Sequence, residues 1–351
     1  MRDLGVPLLL VMVKARIIAI IHIEAKEIFE KVAPDGSRFT ASDSWVRKFV
    51  HTTLGWTYRK ATRAAQKLPK NWVQFTWESF LRHAAVIRDH NIPAALRVNA
   101  DQTQHVFQPS SCFTYDKRGA KQVSVIGKDE KRAITVLVAV SASGELLPFQ
   151  AIFKGRSSAS LPNPSTDNPS LRVAFEEAID RGFRFEFAGI SDTYWSTLQT
   201  MKHWVEHILV PYFNEKKAEL GLRVDHECIL QLDVWSVHSS VEFRKWMWEN
   251  HREIILLYVP GGCTGLFQPC DVGIQRPLKQ ALVSCQNAAR VQEAISLLQS
   301  GEPCDALELN ESLKFLRDQI PSSLVQVHKL LAPKKDFIKA VCACSTPVMC
   351  R

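Results

Sequence analysis

Three absences narrow what this 351-residue sequence encodes. None of its nine cysteines forms a Cys-x-x-Cys pair, so the usual zinc spacings are missing, and the odd count indicates reduced thiols in an intracellular protein. The apolar run at residues 5–13 is too short to span a bilayer and no small-residue cleavage site follows it, which predicts a buried helix and no membrane association. No internal repeat is apparent, which argues against repeat architectures.

Acidic side chains are also scarce in one region, residues 38–70. This stretch has eight Lys and Arg residues against Asp43 alone, while the whole chain has a net charge of +8. Local positive charge of this kind suits a polyanion such as nucleic acid, and a solvated basic face explains it equally well. The remaining composition, 46% hydrophobic and 23% charged, is that of an ordinary globular protein.

Helical patterns occupy the first 95 residues. Ser42 is placed to cap a helix in which Trp45 and Phe49 share one face. Residues 57–68 and 72–90 form two further helical segments, the first of them basic on its exposed side. A small all-α region therefore precedes the rest of the chain.

From residue 96 the pattern changes to short segments rich in Val, Ile and Phe, which predict strands. Three of them pair as hairpins, and helix, strand, helix, strand and helix follow. This order predicts an α/β fold with a mixed sheet and helices on both faces, as in ribonuclease H-like proteins. A helical tail extends beyond this fold.

Three aspartates occupy the ends of the predicted strands. Asp101 ends the first strand, Asp233 ends “ILQLD”, and Asp271 follows the last strand, shortly before a helix expected to open at Pro277. Neighbouring central strands would bring these carboxylates together, where they repel one another unless divalent cations are shared among them. Two such ions, about 3.5–4 Å apart, hold both the attacking and the leaving oxygen in a phosphoryl transfer. Three unrelated caps and turns are the alternative.

Three motifs resemble those of pogo-type transposases and endonucleases of the DDE superfamily, a group related to centromere protein B and mariner-like elements. They are “NADQT” around Asp101, “LQLDVWSVH” around Asp233 and “FQPCDVGIQRPLK” around Asp271. Upstream, “ASDSWVRKF” and “RKATRAAQKLP” resemble the helix-turn-helix of the centromere-protein-B type. Val234 follows the second aspartate, where the family usually has Asn.

The resemblance implies four segments. A partial helix-turn-helix DNA-binding region spans residues 1–75, and a linker helix spans residues 76–95. The ribonuclease H-like catalytic domain spans residues 96–285, and a helical extension with an irregular tail spans residues 286–351. Family members normally carry two helix-turn-helix units, and the first segment has room for only the second.

The resemblance also implies which residues form the site. The catalytic acids and metal ligands are three aspartates, Asp101, Asp233 and Asp271. Three further residues match motif positions and are candidates for support, each with a purely structural alternative: His238, Gln268 and Lys279. The DNA-binding residues are expected in the basic stretch: Arg47, Lys48, Arg59, Lys60, Arg63 and Lys67.

The implied function is cleavage or strand transfer on double-stranded DNA in the nucleus, with two Mg²⁺ or Mn²⁺ ions and no small-molecule cofactor. Water attacks the phosphodiester first, and a freed 3′-hydroxyl then attacks target DNA. The resemblance is compatible with a homodimer. Two alternatives stay open: a domesticated DNA-binding protein that retains the fold without cleaving, and a host nuclease unrelated to transposons. The basic helical N-terminal region disfavours the latter.

Overall fold

A computed structural model of the chain describes residues 10–56, 68–107, 132–189, 193–300 and 309–344. The chain forms two compact units, Met1–Lys67 and Leu68–Arg351. The basic helix expected at residues 57–68 falls almost wholly outside the described residues, as does the irregular tail.

Among its described residues the first unit has three helices: α1 (Leu10–Glu24), α2 (Glu27–Glu30) and α3 (Asp43–Thr52). The side chain of Ser42 accepts a hydrogen bond from Trp45 N at 3.2 Å, which confirms the predicted cap. The rings of Trp45 and Phe49 stack with their centroids 5.2 Å apart. Lys14 of α1 lies 2.9 Å from Asp43 Oδ1 in the first turn of α3, which ties the two helices together.

The described residues of the second unit contain one six-stranded sheet. Its strands are β1 (Arg97–Val106), β2 (Ala133–Ser141), β3 (Gln150–Phe153), β4 (Arg184–Phe187), β5 (Cys228–Leu232) and β6 (Ile254–Tyr258). Their spatial order is β4-β3-β2-β1-β5-β6. The strands β1, β2 and β3 pair antiparallel, whereas β1, β5 and β6 run parallel and β4 is parallel to β3. This mixed sheet is the ribonuclease H-like arrangement.

Helices surround the sheet. They are α4 (Trp72–Asp89), α5 (Pro169–Asp180), α6 (Leu198–Trp204), α7 (Val210–Glu219), α8 (Val241–Asn250), α9 (Thr264–Phe267), α10 (Gln275–Gln299), α11 (Leu313–Asp318), α12 (Ile320–Leu331) and α13 (Lys335–Cys344). Turns of π-helix at Val205–Leu209 and Cys270–Ile274 join α6 to α7 and lead into α10. Within the described parts of the chain, no helix is both long enough and apolar enough to cross a bilayer.

A hydrophobic cluster lies on each face of the sheet, because successive side chains of a strand point to opposite faces. On one face, Val136 and Val138 of β2 pack in a cluster that includes residues of α10, α12 and α13. On the other face, Leu137 and Ala139 pack in a cluster with residues of α6, α7 and α8. Every residue of β2 is therefore buried, which explains its continuous apolar sequence. The prediction of helices on both faces is confirmed.

Two features differ from the expectations for the sheet. The first strand does not end at Asp101, because β2 pairs with β1 as far as Val106. The edge strand β4 had no predicted counterpart, since its short, half-buried sequence alternates Arg184 and Glu186 with aromatic residues. The helices α12 and α13 contribute to the core beside β2, so the C-terminal segment completes the second unit.

Candidate active site

The parallel pairing of β1 with β5 sets two of the three aspartates side by side. Asn99 pairs with Gln231, and the same register continued by two residues places Asp233 beside Asp101. Asp233 directly follows the last residue of β5, whereas Asp101 lies within β1. Because side chains alternate along a strand, Asp101 projects from the same face as Asn99.

Asp271 reaches this position through a helix that is fixed to the same face. The π-helical turn that contains Asp271 continues into α10 without a break, so Pro277 lies inside the helix and the expected start there is wrong. Pro269 stands at the N-terminal end instead, where its missing N–H is not needed by the helix. Cys270 is fully buried, and its backbone N donates to Asn99 Oδ1 at 3.0 Å. This hydrogen bond ties the turn to the centre of the sheet.

Asp101 is the most enclosed of the three acids, with 8% of its surface exposed. Its Oδ1 accepts a hydrogen bond from Gln102 N at 2.8 Å, and its Oδ2 accepts from Gln275 Nε2. The carboxyl group of Asp271 lies close enough to Asp101 to act on its pKa. Burial, followed by the charge of Asp271, raises the pKa of Asp101 well above its ordinary value, and Asp233 adds to this effect. The surroundings of Asp101 in the metal-free chain therefore favour its neutral form more than water does.

Asp233 is more open, with 28% of its side chain exposed, and it is held by His238. His238 Nδ1 lies 2.6 Å from Asp233 Oδ1, and His238 Nε2 lies 3.3 Å from Gln102 Nε2. Because an amide nitrogen only donates, Nε2 is the acceptor, and Nδ1 carries the proton that it donates to Asp233. The hydroxyl of Tyr258 donates to His238 O at 2.7 Å and fixes the backbone behind the ring. The structure thus places His238 beside Asp233.

The other two candidates for support occupy different environments. Gln268 is fully buried, and its backbone carbonyl accepts from Val272 N at 2.9 Å, which braces the turn that carries Asp271. Its side-chain amide has no hydrogen-bond partner among the described residues. Lys279 is exposed on α10. Burial lowers the pKa of His105 in β1 to about 4, and the charge of Lys279 acts in the same direction, so Lys279 lies near His105.

Gln275, which the sequence motifs did not indicate, bridges two residues of β1. Its Nε2 donates to Asp101, and its Oε1 accepts from Thr103 Oγ1 at 3.1 Å. Gln275 follows Asp271 by four residues, the spacing of one helical turn. A helix expected to begin before Asp271 would have placed Gln275 one turn beyond Asp271, on the same side of the helix.

The three carboxylates supply the hard oxygen ligands that Mg²⁺ and Mn²⁺ prefer. In the part of the chain that the structure describes, no group of three or more His, Cys, Asp or Glu side chains is arranged to hold a metal ion. In this arrangement Asp101 is hydrogen-bonded to Gln275, and Asp233 to His238. The oxygen donors of the three aspartates nevertheless fit the chemistry of a hard divalent cation.

Two of the six expected DNA-binding residues lie in the described part of the first unit. Arg47 and Lys48 are neighbours on α3, and both are exposed. The other four lie outside the described residues: Arg59, Lys60, Arg63 and Lys67.

Residues 130–322 match the family described as DDE superfamily endonuclease. The match covers more than half of the chain, which therefore belongs to the DDE superfamily endonucleases. It includes Asp233 and Asp271, while Asp101 precedes it.

Known relatives agree with the pogo-type resemblance, which is confirmed. The chain is 23% identical over 266 residues to the mouse protein Pogo transposable element with KRAB domain, covering 74% of this chain and 38% of that protein. It is 23% identical over 262 residues to the human protein of the same name, with the same coverage of 74% and 38%. The chain thus spans less than two fifths of the length of these curated relatives. A solved pre-cleavage Mos1 transpososome is similar at a TM-score of 0.46 and 10% identity, covering 96% of this chain and 79% of that chain.

Proposed function

We propose that this chain is a transposase-derived nuclease that acts on double-stranded DNA with Mg²⁺ or Mn²⁺. The observation that supports it most strongly is the closeness of the Asp271 and Asp233 carboxylates to Asp101, whose pKa both of them raise. Like charges at this distance in a buried place are unfavourable unless a proton or a cation lies between them. Three unrelated caps give no reason for such convergence, whereas phosphoryl transfer with shared cations does.

In this proposal two of the three acids have a partner that limits their motion. Asp101, Asp233 and Asp271 together hold two divalent ions, which when bound supply positive charge to the attacking and leaving oxygens of the phosphodiester. His238 orients Asp233 through its Nδ1–H. Gln275 orients Asp101 from α10, the helix that Asp271 precedes. Such outer partners fix the direction of ligand oxygens and so raise the affinity for the ion.

DNA contact belongs to the same proposal. The exposed Arg47 and Lys48 of α3, with the other cations of residues 38–70, pair with backbone phosphates. Phosphate contacts position a protein on DNA without reading its sequence, so this surface supplies non-specific affinity. Double-stranded genomic DNA as the substrate implies a nuclear location. A homodimer is the proposed assembly, and the molecular mass of the DNA-bound protein tests it.

Plasmid cleavage tests the proposal directly. Purified protein with Mg²⁺ or Mn²⁺ should nick or linearise supercoiled plasmid, and EDTA should stop the reaction. Asp101→Asn, Asp233→Asn and Asp271→Asn should each reduce the rate by about 100-fold or more, because the neutral amide is a poor ligand for a hard cation. Asp336→Asn, an exposed acid on α13, is the matched control and should cleave like the wild type.

The results separate this proposal from its alternative. DNA binding by the wild type without metal-dependent cleavage would support a domesticated DNA-binding protein instead. Cleavage that survives in all three variants would remove the aspartates from the mechanism.

A further inference from the structure

A cavity of about 430 Å³ lies in the second unit, next to the acids but separate from them. One wall is α4, with Phe80 and Ile87, and the opposite wall includes Ile229 of β5 and Phe267 of α9. The lining is mostly apolar, and the volume is in the range of small-molecule sites, about 300–1,000 Å³. Asn99 is part of the wall, whereas none of the three aspartates lines the cavity.

Arg97 brings a positive charge to this apolar wall without a counter-ion. Its side chain is partly buried, and its Nε is closed off from solvent with no hydrogen-bond partner among the described residues. Burial lowers the pKa of Arg97, yet a guanidinium keeps its proton in proteins, so the cavity retains a cation. No acidic side chain is among the residues that line the cavity. An anion entering it would therefore pair with Arg97.

His83 of α4 offers a hydrogen-bond acceptor in the same cavity. Its Nδ1 lies 2.9 Å from Ser79 O, a group that only accepts, so Nδ1 carries the ring proton. The remaining Nε2 is buried and has no partner among the described residues. Burial also lowers the pKa of His83, which keeps the ring neutral and Nε2 free to accept. A hydroxyl or N–H donor would satisfy it.

These features together describe one class of ligand. Water can meet the hydrogen-bonding needs of Arg97 and His83, but it neither neutralises the cation nor gains from apolar walls. Duplex DNA is too wide for a space of this volume. An apolar body with one anionic group satisfies both the walls and the charge, and a planar carboxylate matches the guanidinium fork.

We propose that this cavity binds a small, mainly apolar organic carboxylate, with its charge on Arg97 and a donor group on His83. The site goes beyond the proposed DNA cleavage and does not depend on it. Asn99 links the two places, because it lines the cavity and accepts from Cys270 N beside Asp271.

Calorimetry with two probes of equal shape tests the site on the full chain at pH 7. The probes are naphthalene-2-carboxylate and its uncharged analogue naphthalene-2-carboxamide. The wild type should bind the carboxylate at least about 10-fold more tightly than the amide, because only the carboxylate pairs with the charge of Arg97. Arg97→Gln should remove this preference. Arg82→Gln, an exposed residue on α4 that does not line the cavity, is the matched control and should preserve it.

A second variant separates loss of the site from loss of the fold. Ala84→Trp places a large side chain in the wall formed by α4 and leaves the charge of Arg97 in place, so it should weaken both probes together while circular dichroism stays unchanged. Equal binding of both probes to the wild type would reduce the site to an apolar void and overturn the proposal. Undiminished carboxylate binding by folded Arg97→Gln, or no binding of either probe to the wild type up to roughly 1 mM, would also overturn it.

Discussion

The charged residues proposed to function in the two units differ in sign and in exposure to solvent. On α3 of the first unit, Arg47 and Lys48 are solvated, so their effects add and are screened by salt. In the second unit, Asp101 is buried against Asp271, where a small change of position changes the interaction greatly. A basic surface of this kind tolerates imprecise geometry, whereas the acidic site depends on the residues that hold each carboxylate.

The largest effect short of removing an acid is expected from breaking the contact of His238 with Asp233. His238→Ala should reduce metal-dependent cleavage about 10–100-fold, because Asp233 loses the hydrogen bond that directs it. The apparent Mg²⁺ affinity, measured by titrating cleavage against Mg²⁺, should fall with it. His207→Ala changes an exposed histidine in the π-helical turn between α6 and α7 and serves as the control. An unchanged Mg²⁺ titration in His238→Ala would leave His238 with a structural role only.

A smaller effect is expected on the free energy of unfolding when the charge of Asp101 is removed. Asp101→Asn keeps the volume, and Gln275 can turn its amide so that its Oε1 accepts from the new N–H₂ while Thr103 accepts from its Nε2. In EDTA at pH 7 this variant should be more stable than the wild type by roughly 1–3 kcal/mol, as measured by urea unfolding.

The sign of the stability difference between the wild type and Asp101→Asn follows from the pKa of Asp101 in the folded and unfolded chains. The pKa of Asp101 is raised in the folded chain. As the pH rises through the unfolded value of about 3.9, the unfolded chain releases this proton while the folded chain keeps it. The wild type therefore loses stability with rising pH until the raised folded pKa is passed, and Asp101→Asn lacks this loss. The two proteins should converge at about pH 3–4. A wild type that is the more stable protein at pH 7 in EDTA would contradict the crowding of these acids.

The smallest effect is expected on the basic side of the comparison. Replacing Arg47 and Lys48 with Ala should weaken DNA binding and reduce the slope of log affinity against log salt by about 2, close to 0.9 for each lost phosphate contact. Fluorescence anisotropy over a series of salt concentrations measures both. Arg172→Ala with Lys314→Ala removes two exposed cations of the second unit as a control. If the loss of Arg47 and Lys48 changes the slope no more than the loss of Arg172 and Lys314, the cations of α3 are only solvated and do not contact DNA.

The sequence predicts a site residue well where the pattern of a single strand is enough to place it. Asp233 is predictable because a mostly apolar strand, β5, stops at a charge. The position of Asp101 inside β1 is not predictable in this way, because the length of β1 depends on its pairing with β2, a long-range interaction. Gln275 was missed because Pro277 resembled a helix start, and only the turn at Pro269 shows where the helix begins. The cavity beside Arg97 is assembled from distant segments, so no local pattern indicates it.

Thermal melting with and without Mg²⁺ tests the central claim, that the three aspartates form a divalent-cation site. At ten times the dissociation constant, Mg²⁺ should stabilise the wild type by about 1.4 kcal/mol, and it should stabilise the control Asp336→Asn equally. Asp233→Asn should fold and bind DNA, yet gain much less from Mg²⁺, because it retains a weaker ligand at that position. Equal stabilisation of the wild type and Asp233→Asn would contradict the account.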